Sequence, residues 1–127
     1  MRDELIIPTA RRNEATAREL YSRIDADDLP GLCALLSPDI VYSRPGYPDM
    51  TSRDAVEHFY REDRRIREGR HRITALVASG EQVAVHGDFD GTLRDGSRAR
   101  HSFAEFFTVA PDGRISGRRT FFFVPLV

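Results

Sequence analysis

Residues 72–124 read RITALVASGEQVAVHGDFDGTLRDGSRARHSFAEFFTVAPDGRISGRRTFFFV, and this stretch decides the fold. Apolar residues recur at every second position in four runs, 72–79, 82–93, 98–110 and 114–124, separated by Ser-Gly, Asp-Gly and Asp-Gly turns. A period of two indicates strands with one buried face, and short glycine-containing turns join antiparallel neighbours. The stretch therefore predicts a meander of four antiparallel strands.

The residues ahead of the meander show helical spacing. An i, i+3, i+4, i+7 stripe of apolar residues predicts a first helix over residues 13–25, and its members are Ala17, Leu20, Tyr21 and Ile24. A second, shorter helix is predicted after Asp27 or Asp28, because either side chain can accept hydrogen bonds from the first turn. Residues 1–10 show no clear period and are expected to form a terminal arm.

A short strand over residues 40–44 and a third helix over residues 51–69 complete the order of elements. Helices followed by a long antiparallel meander define an α+β fold, in which a curved antiparallel sheet packs against three helices around a pocket. With 127 residues and 40% hydrophobic content, the chain can bury one core and is too short for two. We therefore predict a single domain over residues 1–127.

The composition excludes several classes of function. The net charge is -1 and no long block of one sign occurs, so neither nucleic acid nor a membrane is an expected partner. The apolar runs fall below the roughly 18 residues of a membrane span, and no signal peptide is visible, so we expect a soluble cytoplasmic protein. The chain has no lysine, which excludes Schiff-base and pyridoxal phosphate chemistry. No His-x-His or HExxH spacing indicates a metal, and no cofactor is expected.

Three motifs, DIVYSRPG at 39–46, SRDAVE at 52–57 and GRISG at 113–117, accompany this order of elements. Together they resemble the SnoaL-like part of the nuclear-transport-factor-2-like (NTF2-like) superfamily over residues 12–124. The resemblance implies a cone-shaped fold. It also suggests three enzyme branches for comparison: ketosteroid isomerases, limonene-type epoxide hydrolases and the polyketide cyclases of secondary-metabolite biosynthesis.

Each of the first two branches is only partly matched. Where the isomerases have a tyrosine, a neutral carboxylic acid and a proton-moving aspartate, this sequence has Leu20, Glu105 and Arg44, and the arginine cannot accept a proton. The epoxide-hydrolase branch is matched at its tyrosine, Tyr42, and its proton-donating aspartate, Asp88. In that branch, the water-activating aspartate and the bridging arginine are replaced by Thr120 and His86, and Arg44 stands at the asparagine position.

Alternation on the strand 82–93 groups three titratable residues, His86, Asp88 and Asp90, opposite an apolar face. On a solvent face they would be ordinary surface residues, but the resemblance places them inward. In a cavity, desolvation and like charge would separate the proton affinities of the two carboxyl groups, so that one acid and one base could coexist. We therefore expect Asp88 or Asp90 to move a proton and His86 to orient or relay it.

The next strand contributes Glu105, which the isomerase comparison turns inward. A buried glutamate is rarely unpaired, and either Arg44 or Arg118 could be its partner. A structural ion pair and a catalytic role, in which Glu105 and Tyr42 stabilise charge on a substrate oxygen, are both open. The residues expected to bind the substrate are Arg44, Phe59, His101, Phe103, Phe107, Arg118, Thr120 and Phe122.

Two groups are expected on the surface. On the last strand Arg119, Phe121 and Phe123 face away from Phe122, and this aromatic face suggests a homodimer. The second group lies in polar stretches of sequence that are typical of a solvated helix and loop. It consists of Tyr47, His58, His71 and the arginines 61, 64, 65 and 67.

These observations support two hypotheses of function. The first is a small, cofactor-independent enzyme that uses acid–base catalysis on an apolar carbonyl or epoxide compound, in cyclisation, isomerisation, dehydration or hydrolysis. The alternative is a protein of the same fold that binds a small molecule, or serves assembly, without turnover.

Overall fold

The computed structural model describes residues 2–124, and the side chains of residues 8–124. Three α-helices and five strands follow in the order α1 Arg2–Asp25, α2 Leu29–Ala34, β1 Leu36–Ser43, α3 Arg53–His58, β2 Ile66–Ser79, β3 Gln82–Leu93, β4 Arg98–Val109 and β5 Ile115–Phe122. A π-helical turn, Phe59–Asp63, continues α3. None of the helices in the described part of the chain is long and apolar enough to cross a membrane.

The sheet has the strand order β1-β5-β4-β3-β2. Strands β2 to β5 form the predicted antiparallel meander. Strand β1 instead runs parallel to β5, with Tyr42 opposite Arg118, so the prediction of a wholly antiparallel sheet is wrong at this edge. No hairpin connects β1 to β5, and the local pattern of β1 therefore gives no information about its direction. The α+β class and the curved sheet packed against three helices are confirmed.

Several element boundaries differ from the prediction, and β1 begins at Leu36 rather than at residue 40. Helix α1 includes residues 2–10, which were expected to form an arm. The predicted third helix ends early, because Ile66 begins β2 and pairs with Leu93 of β3. Gly69 then lies opposite Gly91, and the ring of Phe89 occupies the space that a side chain at either glycine would need. Strand pairing has thus overridden a stretch of apparent helical spacing.

The core lies between the helices and the concave face of the sheet. Alternate residues of β3 and β4 are buried there, and Val83, Phe103 and Phe107 are examples with at most 2% exposure. From α1, Ala17 and Leu20 are fully buried against them. The alternation in β3 therefore gives one apolar inner face and one outer face, and it determines where every polar residue of that strand points.

Candidate functional site

A buried carboxylate lies at the centre of the cone. Glu105 of β4 is 1% exposed and accepts two hydrogen bonds from Arg118 of β5, at 2.6 Å from Nε to Oε2 and 3.2 Å from the terminal nitrogen to Oε1. Tyr21 of α1 donates its hydroxyl to Oε1 at 2.7 Å, and Thr120 donates its hydroxyl to Oε2. The carboxylate is therefore paired with a cation and surrounded by donors.

Hydrogen bonds extend this network to β1 and to the turn after α3. Thr120 Oγ1 lies 3.2 Å from the hydroxyl of Tyr42, and Arg44 donates to that hydroxyl at 2.8 Å. Arg118 donates to the hydroxyl of Tyr60 at 2.6 Å. We call these residues the polar core; its members are Tyr21, Tyr42, Arg44, Tyr60, Glu105, Arg118 and Thr120.

The protonation states in the polar core follow from these contacts. Burial raises the pKa of Glu105, but the charge of Arg118 and the hydrogen bonds from Arg118, Thr120 and Tyr21 together bring it below its ordinary value. Burial and the neighbouring Glu105 raise the pKa of Tyr21 well above its usual range, so Tyr21 stays protonated and donates. Glu105 is thus an ionised acceptor in an ion pair. It does not fit the neutral, hydrogen-bond-donating acid of the isomerase comparison.

A histidine–aspartate pair borders the polar core. Nδ1 of His71, on β2, lies 2.6 Å from Oδ1 of Asp25, the last residue of α1, and the backbone N–H of His71 donates to Oδ2 at 2.8 Å. A carboxylate only accepts, so Nδ1 carries the proton and Nε2 keeps its lone pair. The ring packs among Tyr21, Phe89 and Phe103, with centroids 4.8 to 5.4 Å apart. Burial lowers the pKa of His71, and the hydrogen bond that the ring donates to Asp25 opposes this.

His71 and Arg64 were both expected on the surface, and for these two residues the prediction is wrong. His71 lies on a strand between two exposed arginines, Arg70 and Arg72, so its sequence neighbourhood is polar although the ring points inward. Arg64 is only 9% exposed, in the turn between α3 and β2. The pairing of β2 with β3 was the one available signal that His71 faces inward, because directly paired residues share a face of the sheet and the partner of His71 is the buried Phe89.

The space enclosed by these residues is small. A cavity of about 10 Å³ remains beside the polar core, roughly the volume of one water molecule. Two buried nitrogen atoms on its wall, Nδ1 of His101 and Nε of Arg64, have no hydrogen-bond partner within the described part of the chain. Burial lowers the pKa of His101, which favours a neutral ring. A water molecule or a ligand atom in the cavity would give these nitrogens a partner.

Many of the residues predicted to bind a substrate do meet at this cavity. They are Arg44, His101, Phe103, Arg118, Thr120 and Phe122, and Glu105, which was expected to stabilise charge on a substrate oxygen, lines the cavity as well. The remaining predicted residues pack against the polar core: the guanidinium of Arg118 lies 4.4 Å from the ring centre of Tyr42 and 6.0 Å from that of Phe107, and Phe59 packs edge-on against Tyr42.

The three residues expected to carry out proton transfer lie elsewhere. His86, Asp88 and Asp90 are on the outer face of the sheet, so the prediction that they face the cavity is wrong. The hydroxyl of Ser102 and the guanidinium of Arg72 bind Asp88 at 2.8 and 3.0 Å and lower its pKa. The physical reason is the pleat: once the apolar side chains of β3 are buried, the intervening residues must point away.

The same alternation makes Asp90 and His86 surface residues with local partners. Asp90 is bound by Arg98 at 2.8 Å, and Nδ1 of His86 lies 2.9 Å from the hydroxyl of Thr74. Among the described residues, no three His, Cys, Asp or Glu side chains are grouped so that they could hold a metal ion.

A model of the SnoaL-like domain matches residues 17–118. The chain therefore belongs to the SnoaL-like domain family. None of the curated proteins matches it significantly.

Solved structures share the fold. An NTF2-like protein of unknown function from Burkholderia pseudomallei is 27% identical, with a TM-score of 0.78 over 87% of this chain and 90% of that chain. An LEH-like epoxide hydrolase of M. tuberculosis is 19% identical, with a TM-score of 0.78 over 89% of this chain and 84% of that one. An epoxide hydrolase/cyclase-like enzyme with a role in salinomycin pyran ring formation is 18% identical, with a TM-score of 0.78 over 88% and 91%. The last two show the fold alone.

The ion pair of the polar core can be tested by stability measurements at pH 7. Glu105→Gln leaves Arg118 buried without a counter-charge and is expected to lower the free energy of unfolding by about 3–5 kcal/mol, whereas replacing both with apolar residues, Glu105→Leu with Arg118→Met, costs less. Arg72→Met, which breaks the exposed pair with Asp88, is the matched control and changes stability by about 0–1 kcal/mol.

The Glu105→Gln variant is also expected to change how the stability depends on acidic pH. The folded pKa of Glu105 lies below its ordinary value of 4.5, so the unfolded chain binds a proton first and the protein loses stability as pH falls below 4.5. Glu105→Gln lacks this loss of stability at acidic pH.

At pH 7, equal losses of unfolding free energy in Glu105→Gln and Arg72→Met, measured by denaturant unfolding, would contradict a buried ion pair.

Proposed function

We propose that the protein is a cofactor-independent acid–base enzyme in which His71, held by Asp25, is the proton-transfer group. The 2.6 Å contact between Nδ1 of His71 and Oδ1 of Asp25, at the wall of the interior cavity, is the observation that carries this proposal. It fixes one tautomer, orients the ring and stabilises the imidazolium that forms when Nε2 takes a proton. The substrate class is an apolar carbonyl or epoxide compound, as members of this family and fold suggest.

The surroundings suit this chemistry. The lowered pKa leaves His71 neutral at pH 7, so Nε2 can accept a proton from a carbon next to a carbonyl group or from water. The guanidinium of Arg44 lines the same cavity and can approach a developing oxyanion, whereas Arg118 is paired with Glu105. The hydroxyl of Tyr42 donates to Thr120 and would turn to donate to a substrate oxygen; burial raises its pKa, but Arg118 and Arg44 bring it below its ordinary value. Phe103 and Phe122 provide the apolar walls.

A substrate reaches the cavity only if side chains move. A cleft of about 510 Å³ opens on the outside between the ends of α1 and α2 and the turn after α3. Arg64 and Ile66 border both this cleft and the interior cavity. Entry between these two residues requires no change in the hydrogen bonds of Glu105.

Binding without turnover is the second candidate. The hydrogen bonds that saturate Glu105 favour it, because a carboxylate with no unused acceptor sites holds the fold together and is not available to a substrate. A ligand that binds to the wild type and to His71→Gln with equal affinity, and that neither protein converts, would support this candidate.

We also propose that the outer face of the sheet forms a homodimer. Phe106 and Phe121 are 50% and 45% exposed and pack edge-on with ring centres 6.0 Å apart, and Phe123 is 74% exposed. The same face carries Asp88 and His86, so it presents apolar and charged groups that a second copy related by a two-fold axis could match.

The role of His71 can be tested once a screen of carbonyl and epoxide compounds gives a turnover assay. His71→Gln is expected to lower kcat by about 100-fold or more, because loss of a general base removes this much rate, with ligand affinity within about threefold of wild type. Asp88→Asn is the matched control, because its carboxylate lies on the outer face. Loss of turnover in Asp88→Asn, with His71→Gln active, would overturn the assignment.

The dependence of rate on pH provides a second test. Because the folded pKa of His71 lies below 6.5, kcat/KM is expected to be constant near neutral pH and to fall as pH drops through that lowered value. Asp25→Asn removes a contact that raises this pKa, so its acid limb shifts to lower pH. An acid limb that does not respond to Asp25→Asn would contradict the proposed pair.

Oligomeric state is measured by sedimentation. The wild type is expected to sediment as a dimer, and Phe106→Ser with Phe121→Ser as a monomer with an unchanged circular dichroism spectrum. Asp54→Ser on α3 is the control for an exposed position away from this face. A monomeric wild type at all concentrations would overturn the proposal.

A further inference from the structure

The external cleft has the size and lining of a small-molecule site. Its volume of about 510 Å³ falls within the range of about 300–1,000 Å³ that such sites occupy. Ile24, Leu29 and Leu32 form an apolar wall on the helical side. At the inner end, Arg64 separates the cleft from the interior cavity that holds His71. The cleft thus leads to the proposed proton-transfer group.

Arg64 is a buried cation without a counter-ion in the described part of the chain. Arg64 is 9% exposed. Its Nε has no hydrogen-bond partner there, and no carboxylate there forms an ion pair with its guanidinium group. Its guanidinium group makes a cation–π contact with Tyr60, whose ring centre lies 5.0 Å from the guanidinium carbon. Burying an arginine in this way is costly, and natural proteins nearly always provide an anion.

The anion does not come from the nearby carboxylates. Glu105 is occupied by Arg118, Thr120 and Tyr21. Asp28 lines the cleft, but its carboxylate accepts from the backbone N–H of Gly31 at 3.0 Å as the cap of α2.

The other carboxylate of the cleft, Asp27, forms no ion pair with Arg64 either. Positive charge predominates, because four further arginines line the cleft: Arg23, Arg61, Arg67 and Arg94. Arg94 also fixes the turn, since it donates to the backbone oxygen of Arg64 at 2.6 Å and to that of Arg61 at 3.3 Å. The cleft is therefore a positively charged, partly apolar funnel.

We infer that the ligand of this site is an organic acid whose carboxylate binds Arg64, with its apolar skeleton against Tyr60 and Ile66. This inference rests on the proposed function, because it names the substrate class of the same site. A planar guanidinium and a carboxylate can form two parallel hydrogen bonds, which few other pairs of groups can do. Arg64 and His71 border the same cavity, so an acid held by Arg64 extends toward the proton-transfer group.

Calorimetric titration of matched probes tests the inference. The probes are benzoate, 1-naphthoate and 2-naphthoate, each compared with its neutral amide, and inorganic phosphate. Carboxylates are expected to bind the wild type about 10-fold or more tighter than their amides. Arg64→Met abolishes this preference, with Arg64→Gln as a second variant if Arg64→Met does not fold. Arg65→Met is the matched control, because Arg65 is an exposed neighbour that does not line the cleft.

The outcomes separate this inference from the proposed enzyme function. Equal affinity of acids and amides for the wild type, a preference that survives in Arg64→Met, or phosphate binding as tight as that of the carboxylates would each overturn the inference. The titrations are repeated in His71→Gln, where no turnover interferes, and the preference is expected to persist. A carboxylate preference without turnover of any compound would leave the inference standing and overturn the enzyme. Turnover of neutral compounds that is unaffected by Arg64→Met would leave the enzyme function standing and overturn the inference of an organic acid.

Discussion

The buried ion pair between Glu105 and Arg118 is the constraint on which the rest of the structure depends. A carboxylate at 1% exposure is tolerable only if its charge is matched and its oxygens accept hydrogen bonds, and here β5 supplies Arg118 and Thr120 while α1 supplies Tyr21. The register of β4 and β5 and the placement of α1 on the sheet are therefore coupled to one side chain. A slip of one residue in either strand would turn the glutamate or its cation outward and leave the other buried alone.

The same pair influences the chemistry of the interior. The negative charge of Glu105 raises the pKa of the neighbouring His71, and the positive charge of Arg64 lowers it by less. Burial is the largest influence and lowers this pKa below its ordinary value, while the hydrogen bond to Asp25 opposes it. A neutral histidine beside cationic groups is the arrangement that allows a base and an oxyanion-stabilising group to coexist at neutral pH.

How much was predictable depends on which physical signal each residue leaves in the sequence. Glu105 was placed inward correctly by the isomerase comparison, which turned inward the alternating set that it shares with Phe103 and Phe107. On β3 the alternating sets were right, but the resemblance assigned His86 and Asp88 to the inner face, although burial of Val83 and Val85 requires the opposite. His71 was missed, because the predicted strand began only at residue 72, its neighbours are charged and its partner Asp25 is 46 positions away. Long-range pairing determines such a site, and single-sequence periodicity does not report it.

The nearly filled interior can be reconciled with ligand binding through the unequal cost of moving its walls. Displacing Tyr21 or Arg118 would leave a buried carboxylate without donors, which is expensive. Arg64 makes no hydrogen bond through its side chain within the described residues, so moving it breaks only its stacking on Tyr60. The residue whose charge lacks a partner is thus also the part of the wall that is least costly to displace. An anion that binds the guanidinium group of Arg64 would gain an ion pair and would displace this side chain from the route toward His71 in the same step.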